Sequence, residues 1–137
     1  VIQRRYPLGQ RPWLRVSQPV AADRGFKTWI IGAMGASALA KAASQAQIPC
    51  ARWLLGVSDF QGDATRWLDQ AAQALAWAQG HEGVVLMCHP GGADPDPSDG
   101  IASARQQEWA ALASPQWPAL LQHHGVTLVA RPAESVS

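Results

Sequence analysis

GVVLMCHPG, residues 83–91, is the stretch that decides the fold class. Its first six residues form a continuous apolar run, which is typical of a strand buried on both faces of a parallel sheet. His89 follows at once, and Pro90 and Gly91 then turn the chain. In parallel α/β folds, sites form where the C-terminal ends of strands meet the following loops. His89 is therefore a candidate general acid or metal ligand, although its position fits equally well a histidine hydrogen-bonded into the loop.

On both sides of this stretch, helical patterns alternate with short strand patterns. Apolar spacing, caps and helix-breaking residues predict three helical segments. The first covers residues 27–47, the second runs from the N-cap Asp63 to the stop at Gly80, and the third covers 101–124 with a break at Ser114-Pro115. Further short strands are predicted at residues 14–16, 53–55 and 126–129. The alternation predicts an α/β fold with mostly parallel strands, and the length of 137 residues fits a single domain over 1–137.

Charge and hydropathy exclude several classes of partner. Lys and Arg number 11 against 10 Asp and Glu, so there is no electrostatic argument for nucleic acid or an anionic membrane. The longest apolar run, residues 29–40, is too short to cross a bilayer as a helix, and no transmembrane segment or signal peptide is predicted. Cys50 and Cys88 form no disulfide framework, which favours a reducing, cytoplasmic compartment.

A rival signal indicates a nucleotide-binding module. Residues 29–38, WIIGAMGASA, mimic a strand, a glycine-rich turn and a helix, and Asp59 lies downstream where a ribose-binding acid could stand. This alternative is a non-catalytic dinucleotide-binding α/β module that uses Gly32, Gly35 and Asp59. Its strand would hold only about five residues, which disfavours it. The acidic stretch 94–100 lacks the Gly and Glu of a calcium loop, and the histidines and cysteines show no zinc spacing.

Several motifs together resemble the C-terminal half of YdjC-like carbohydrate deacetylases. They are LMCHPG at 86–91, Arg105 and Glu108 with Leu112, Ser114-Pro115, and GVTL at 125–128. RPWLRV at 11–16 and GVSDF at 56–60 match upstream in the same order, so the similarity covers nearly the whole chain. It is nearest to the branch associated with hopanoid biosynthesis. The resemblance implies the C-terminal part of a deformed (β/α) barrel of the glycoside hydrolase/deacetylase type.

The resemblance also implies a reaction and roles for individual residues. The full-length enzyme would be a cytoplasmic hydrolase that deacetylates an N-acetylated sugar or glycolipid, in this branch a glycosyl hopanoid, while this chain alone would be inactive. His89 would protonate the departing amine, and Arg15 would orient an acid in the site. Gly91 and Gly92 would contact the substrate, Gly92 standing where relatives often have an aromatic residue.

The cofactor that the resemblance implies is a divalent metal, Mg²⁺ or Zn²⁺. The family holds it with an Asp and two His from motifs that this sequence does not contain. The metal is therefore expected in the full-length enzyme, and no ligand to it is expected within this chain. Formation of a homodimer is left open.

Overall fold

The computed structural model describes residues 2–8, 10–18, 20, 35–92, 96 and 98–130. Its elements in chain order are α1 (Ile2–Arg5), β1 (Leu14–Gln18), α2 (Ala36–Gln45), β2 (Cys50–Leu55), α3 (Ala64–Ala78), β3 (Val84–Leu86), α4 (Ala102–Ala113) and α5 (Gln116–His123). The strands form a three-stranded parallel sheet in the order β1-β2-β3. The predicted α/β class with parallel strands is confirmed. Within the described ranges, no helix has both the length and the apolar character needed to cross a membrane.

The chain divides into two compact units. The first comprises Val1–Val57, His81–Val85 and Val129–Ser137, and it contains most of the sheet together with α2. Leu14 pairs with Cys50 across β1 and β2, and the Arg52 N–H donates to the carbonyl of Gly83, at 2.8 Å, just before β3. The core of this unit is formed by small and branched apolar side chains: Val16, Val20, Ala36, Ala43, Ala51, Leu54 and Leu55.

The second unit, Ser58–Gly80 with Leu86–Leu128, is helical. Its helices α3, α4 and α5 pack against one another, and the buried residues of α3 and α4 are mostly alanine, which lets helix axes come close. Asp63 caps α3 as predicted, because its carboxylate accepts the N–H of Arg66 at 2.9 Å. Between α3 and α5, the rings of Trp67 and Trp117 lie 5.6 Å apart, centroid to centroid.

Among the described residues 35–47, the helix predicted over residues 27–47 covers only Ala36–Gln45. It begins at Ala36, and Gly35 precedes it with φ +91°, in the left-handed region that glycine adopts without steric cost. A residue in this conformation cannot lie inside a right-handed helix. Residues 27–34, including Gly32, lie outside the described residues.

The strand predicted at residues 126–129 is wrong, because the described chain there is irregular. The N–H of Gly125 donates to Gln122 O at 3.1 Å and that of Val126 to Leu121 O at 3.0 Å, with Gly125 at φ +61°. This is a Schellman motif, which uses the Val126 N–H to close α5.

The other strands differ from the prediction in length. The strand predicted at 83–88 is reduced to Val84–Leu86, and these residues are half-buried rather than buried, since β3 lies at the edge of the three-stranded sheet. The strand predicted at 14–16 continues to Gln18, and the one predicted at 53–55 already begins at Cys50. Pairing between β1 and β2 explains both extensions, because the ladder continues beyond the apolar residues that mark each strand.

Candidate active site

His89 is held by two side chains of α4. Its backbone N–H donates to the carboxylate of Glu108, which is only 2% exposed. Its carbonyl accepts a hydrogen bond from the guanidinium of Arg105, with an Nη1–O distance of 3.3 Å. Residues three apart on a helix lie on the same face, so α4 reaches both polar groups of the His89 backbone from one side. The histidine that follows β3 is therefore fixed in position by a helix much later in the chain.

Arg105 is itself anchored at its guanidinium and at its backbone. Its Nε donates to Asp99 Oδ2 at 2.6 Å, and its carbonyl accepts the N–H of Gly91 at 3.1 Å. Asp99 Oδ1 also accepts the N–H of Ile101, just before α4. These interactions hold the pKa of Asp99 below its ordinary value, the hydrogen bond from Ile101 contributing most and that from Arg105 next. The carboxylate is thus kept ionised and available to orient the guanidinium.

The two glycines predicted to contact the substrate lie in different surroundings. A Cβ atom on Gly91 would come 2.9 Å from the Cβ of Arg105, so glycine at this position lets the turn pack against α4. A Cβ atom on Gly92 would meet nothing within 4 Å among the described residues. Gly91 thus has a packing reason to be glycine, whereas no described atom would crowd a Cβ at Gly92. Substrate contact by either residue stays a prediction.

Phe60 provides the ring that meets His89. The ring centroids lie 5.3 Å apart with an interplanar angle of 75°, an edge-to-face arrangement that aromatic pairs favour. Phe60 has φ +60°, a conformation that costs a non-glycine residue about 1–3 kcal/mol. Its N–H donates to Ser58 Oγ at 2.8 Å, which helps to hold the backbone there. No sequence signal marks a phenylalanine for positive φ, and the sequence analysis assigned Phe60 no role.

Glu108 is the second residue that sequence reasoning missed. It belongs to the spacing Arg105-x-x-Glu108 that carries the resemblance, yet no role was predicted for it. The signal that could have found it is a carboxylate at i, i+3 from an arginine on a helix whose other buried residues are alanines. An acidic side chain on such a face needs a hydrogen-bond donor, and the turn after β3 supplies one.

Cys88, which immediately precedes His89, is exposed but is not activated as a nucleophile. Partial shielding of the sulfur and the nearby negative charge of Glu108 both raise the pKa of its thiol. Thiol reactivity depends on the thiolate, so a raised pKa keeps Cys88 in its unreactive form near neutral pH. The neighbours of Cys88 thus give its thiol no activation as a nucleophile.

The remaining predicted residues are Arg15 and the three residues of the dinucleotide alternative. Arg15 is exposed on β1, in the first unit, and its role as an orienting residue stays a prediction. Asp59, the proposed ribose-binding acid, instead forms an ion pair with Arg66 at 3.1 Å and accepts the N–H of Gln61 at 3.0 Å. Gly35 is described above, and Gly32 is not among the described residues, so nothing supports the dinucleotide alternative.

A divalent metal does not fit the residues that the structure describes. No group of three or more His, Cys, Asp or Glu side chains among them could hold such an ion. Next to His89, the polar side chains are instead occupied with the backbone: Glu108 binds the N–H and Arg105 binds the carbonyl. The described residues around His89 therefore offer no ligand set for such an ion, and a role for His89 as proton donor stays a prediction.

In the comparison with protein-family models, residues 2–123 match the model described as YdjC-like protein. The match covers most of the 137 residues. The chain belongs to the YdjC-like family. This family is associated in general with carbohydrate deacetylases, which are metal-dependent hydrolases. No significant match was found among curated proteins or among solved structures.

Membership of the YdjC-like family gives the cluster around His89 its chemical context. The matched region includes His89, Phe60, Arg105 and Glu108. Hydrolysis of an amide on a carbohydrate requires a proton donor for the departing nitrogen, because an amide anion is a very poor leaving group. In this YdjC-like chain, an imidazole with an immobilised backbone lies at the end of a strand, where α/β enzymes place such groups.

Proposed function

We propose that this chain is the C-terminal part of a carbohydrate N-deacetylase and that His89 is its general acid. The observation that carries the proposal is the fixation of the His89 backbone by Glu108 and Arg105, together with the ring contact from Phe60. Glu108 is buried and Arg105 is anchored by Asp99, so both backbone groups of His89 are held by side chains that are themselves fixed. A proton donor does require such fixation, because its contribution depends on alignment with the leaving atom.

In the proposed reaction, a water molecule attacks the carbonyl carbon of the acetamide, and the carbon–nitrogen bond of the tetrahedral intermediate then breaks. The attacking water releases a proton to the solvent, and His89, in its protonated form, transfers its proton to the departing nitrogen. The products are the free amine of the sugar and acetic acid, which loses its remaining proton to the solvent as acetate. Glu108 and Arg105 remain bound to the backbone of His89 throughout, and they neither gain nor lose a proton. Gly91 and Gly92 contribute the turn beside which the sugar would lie.

The finer parts of the proposal rest on the resemblance. The substrate class is an N-acetylated sugar or glycolipid, with a glycosyl hopanoid as the specific case. A divalent metal, Mg²⁺ or Zn²⁺, which could activate the water, belongs to the proposal for the full-length enzyme, and no step is assigned to it in this chain. Arg15 is proposed to orient an acid of the site. A cytoplasmic location is consistent with Cys50 and Cys88 as free thiols.

The proposal is tested by replacing His89 with Asn in the full-length protein that contains this chain. Acetate release from an N-acetylglucosamine oligosaccharide should fall by about 10²–10⁴-fold in kcat, because Asn hydrogen-bonds but donates no proton at this step. The melting temperature and metal content should be unchanged. His123→Asn, at the exposed end of α5, is the matched control and should leave turnover intact. Near-normal turnover by a stably folded His89→Asn variant would show that the acid lies elsewhere.

A further inference from the structure

The loop before α3 holds Phe60 in a conformation that its side chain does not favour. Phenylalanine at φ +60° is an uncommon backbone state for a bulky residue, and such states persist only where the surroundings hold them. Ser58 Oγ accepts the Phe60 N–H at 2.8 Å, and Asp59 binds both the Gln61 N–H and Arg66 of α3. The backbone N–H groups of Phe60 and of the next residue are therefore both hydrogen-bonded within the loop. With this left-handed backbone, the ring of Phe60 contacts the ring of His89.

The described contacts of His89 divide between its backbone and its ring. Glu108 and Arg105 bind the N–H and the carbonyl, which fixes the Cα atom, but these two bonds do not restrain rotation of the imidazole about χ1 and χ2. The edge-to-face contact with Phe60 acts on the ring itself, at a centroid distance of 5.3 Å. A proton donor must present one particular ring nitrogen to the leaving group, so fixation of the backbone alone is not sufficient.

We propose that Phe60 is the positioning residue for the His89 side chain, limiting rotation of the imidazole so that its proton-donating nitrogen faces the substrate. This inference rests on the proposed function, because it gives Phe60 a purpose only if His89 is the acid. Phe60 acts through His89 and exchanges no proton. The strain of its backbone is offset by the bonds from Ser58 and Asp59, which the loop would otherwise not need.

The contact can be tested on this chain without any activity. In a ¹H–¹³C NMR spectrum, the ring signals of His89 should show a nuclear Overhauser effect to the Phe60 ring and a ring-current displacement. Both should disappear in Phe60→Leu, and the His89 signals should move towards their random-coil positions. Trp109→Leu removes a different aromatic side chain, 57% exposed on α4, and should leave the His89 signals unchanged. Unchanged His89 signals in Phe60→Leu would refute the proposal.

The positioning role is tested in the full-length protein. Phe60→Leu should lower kcat by about tenfold or more while KM changes less than about twofold, because misalignment affects the chemical step more than binding. Phe60→Tyr keeps the ring and should restore turnover. Phe60→Gly adopts φ +60° without strain, so it keeps the loop folded but should be as slow as Phe60→Leu.

The possible outcomes separate this inference from the proposed function. Wild-type kcat in Phe60→Gly or Phe60→Leu, alongside an inactive His89→Asn, would overturn the positioning role and leave the acid assignment standing. Normal turnover in His89→Asn would remove both. Slow Phe60→Leu and Phe60→Gly variants, with rescue by Phe60→Tyr, would support both.

Discussion

Substituting Gly91 with alanine should disturb the packing between the turn after β3 and α4. The new Cβ atom would lie 2.9 Å from the Cβ of Arg105, whereas carbon atoms in favourable contact are about 3.5–4.0 Å apart. Because the Arg105 Cβ is attached directly to the helix backbone, it cannot rotate away. Either the turn or α4 must move by several tenths of an ångström, which stretches the 3.1 Å hydrogen bond from Gly91 N–H to Arg105 O. Overpacking of this kind costs about 1–3 kcal/mol.

Urea unfolding followed by tryptophan fluorescence measures this cost. At a slope of about 1–3 kcal/mol per molar, the midpoint of Gly91→Ala should fall by roughly 1 M. Gly92→Ala is the matched control, because its Cβ would meet no described atom within 4 Å, and its midpoint should stay level or rise slightly. Equal midpoints for Gly91→Ala and the wild type would refute the close approach of the turn to α4. Equal losses in both variants would show that the turn needs glycine for another reason.

Two further predictions follow from described residues. Glu108→Gln keeps an oxygen that can accept the His89 N–H but removes the negative charge that helps to raise the pKa of Cys88. Alkylation of Cys88 by iodoacetamide at about pH 7.5 should therefore become several-fold faster, with Cys50 as the internal control. An unchanged rate at Cys88 would contradict the electrostatic link between the two residues. Gly35→Ala should lower the free energy of unfolding by about 1 kcal/mol, because φ +91° is strained for alanine. Gly80→Ala, near the end of α3 and also at positive φ, should show a similar loss in the same urea titration. An equal or higher midpoint for Gly35→Ala would mean that this residue lies inside a helix.

Features specified by neighbouring residues could be predicted from the sequence. α3 begins after Asp63 because the carboxylate of Asp63 accepts the N–H of Arg66, three residues later. This pattern can be recognised from residues 63–66 alone. The same is true of Ser114-Pro115, since the residue before proline avoids the helical region and ends α4. The position of His89 after a strand also follows from a local apolar run.

Features that depend on contacts between distant segments could not be predicted. Glu108 reaches the backbone of a residue 19 positions earlier, and nothing in the sequence near Glu108 indicates that partner. The positive φ of Phe60 arises from the loop that contains it, against the ordinary preference of phenylalanine. Residues 126–129 have the β-branched composition of a strand, but the cap of α5 takes the N–H of Val126.

The hydrogen bonds from α4 to the backbone of His89 limit insertions and deletions in this helix. Arg105 and Glu108 act together only because three residues of helix separate them by about 4.5 Å along the axis and keep them on one face. Inserting or deleting one residue between them would rotate one partner by about 100° around the helix and release one of the two backbone groups. Point substitutions at the exposed positions of α4, such as Trp109, carry no such penalty. The exposed positions of this segment should therefore vary freely in residue type, whereas Arg105, Glu108 and the number of residues between them should hardly change.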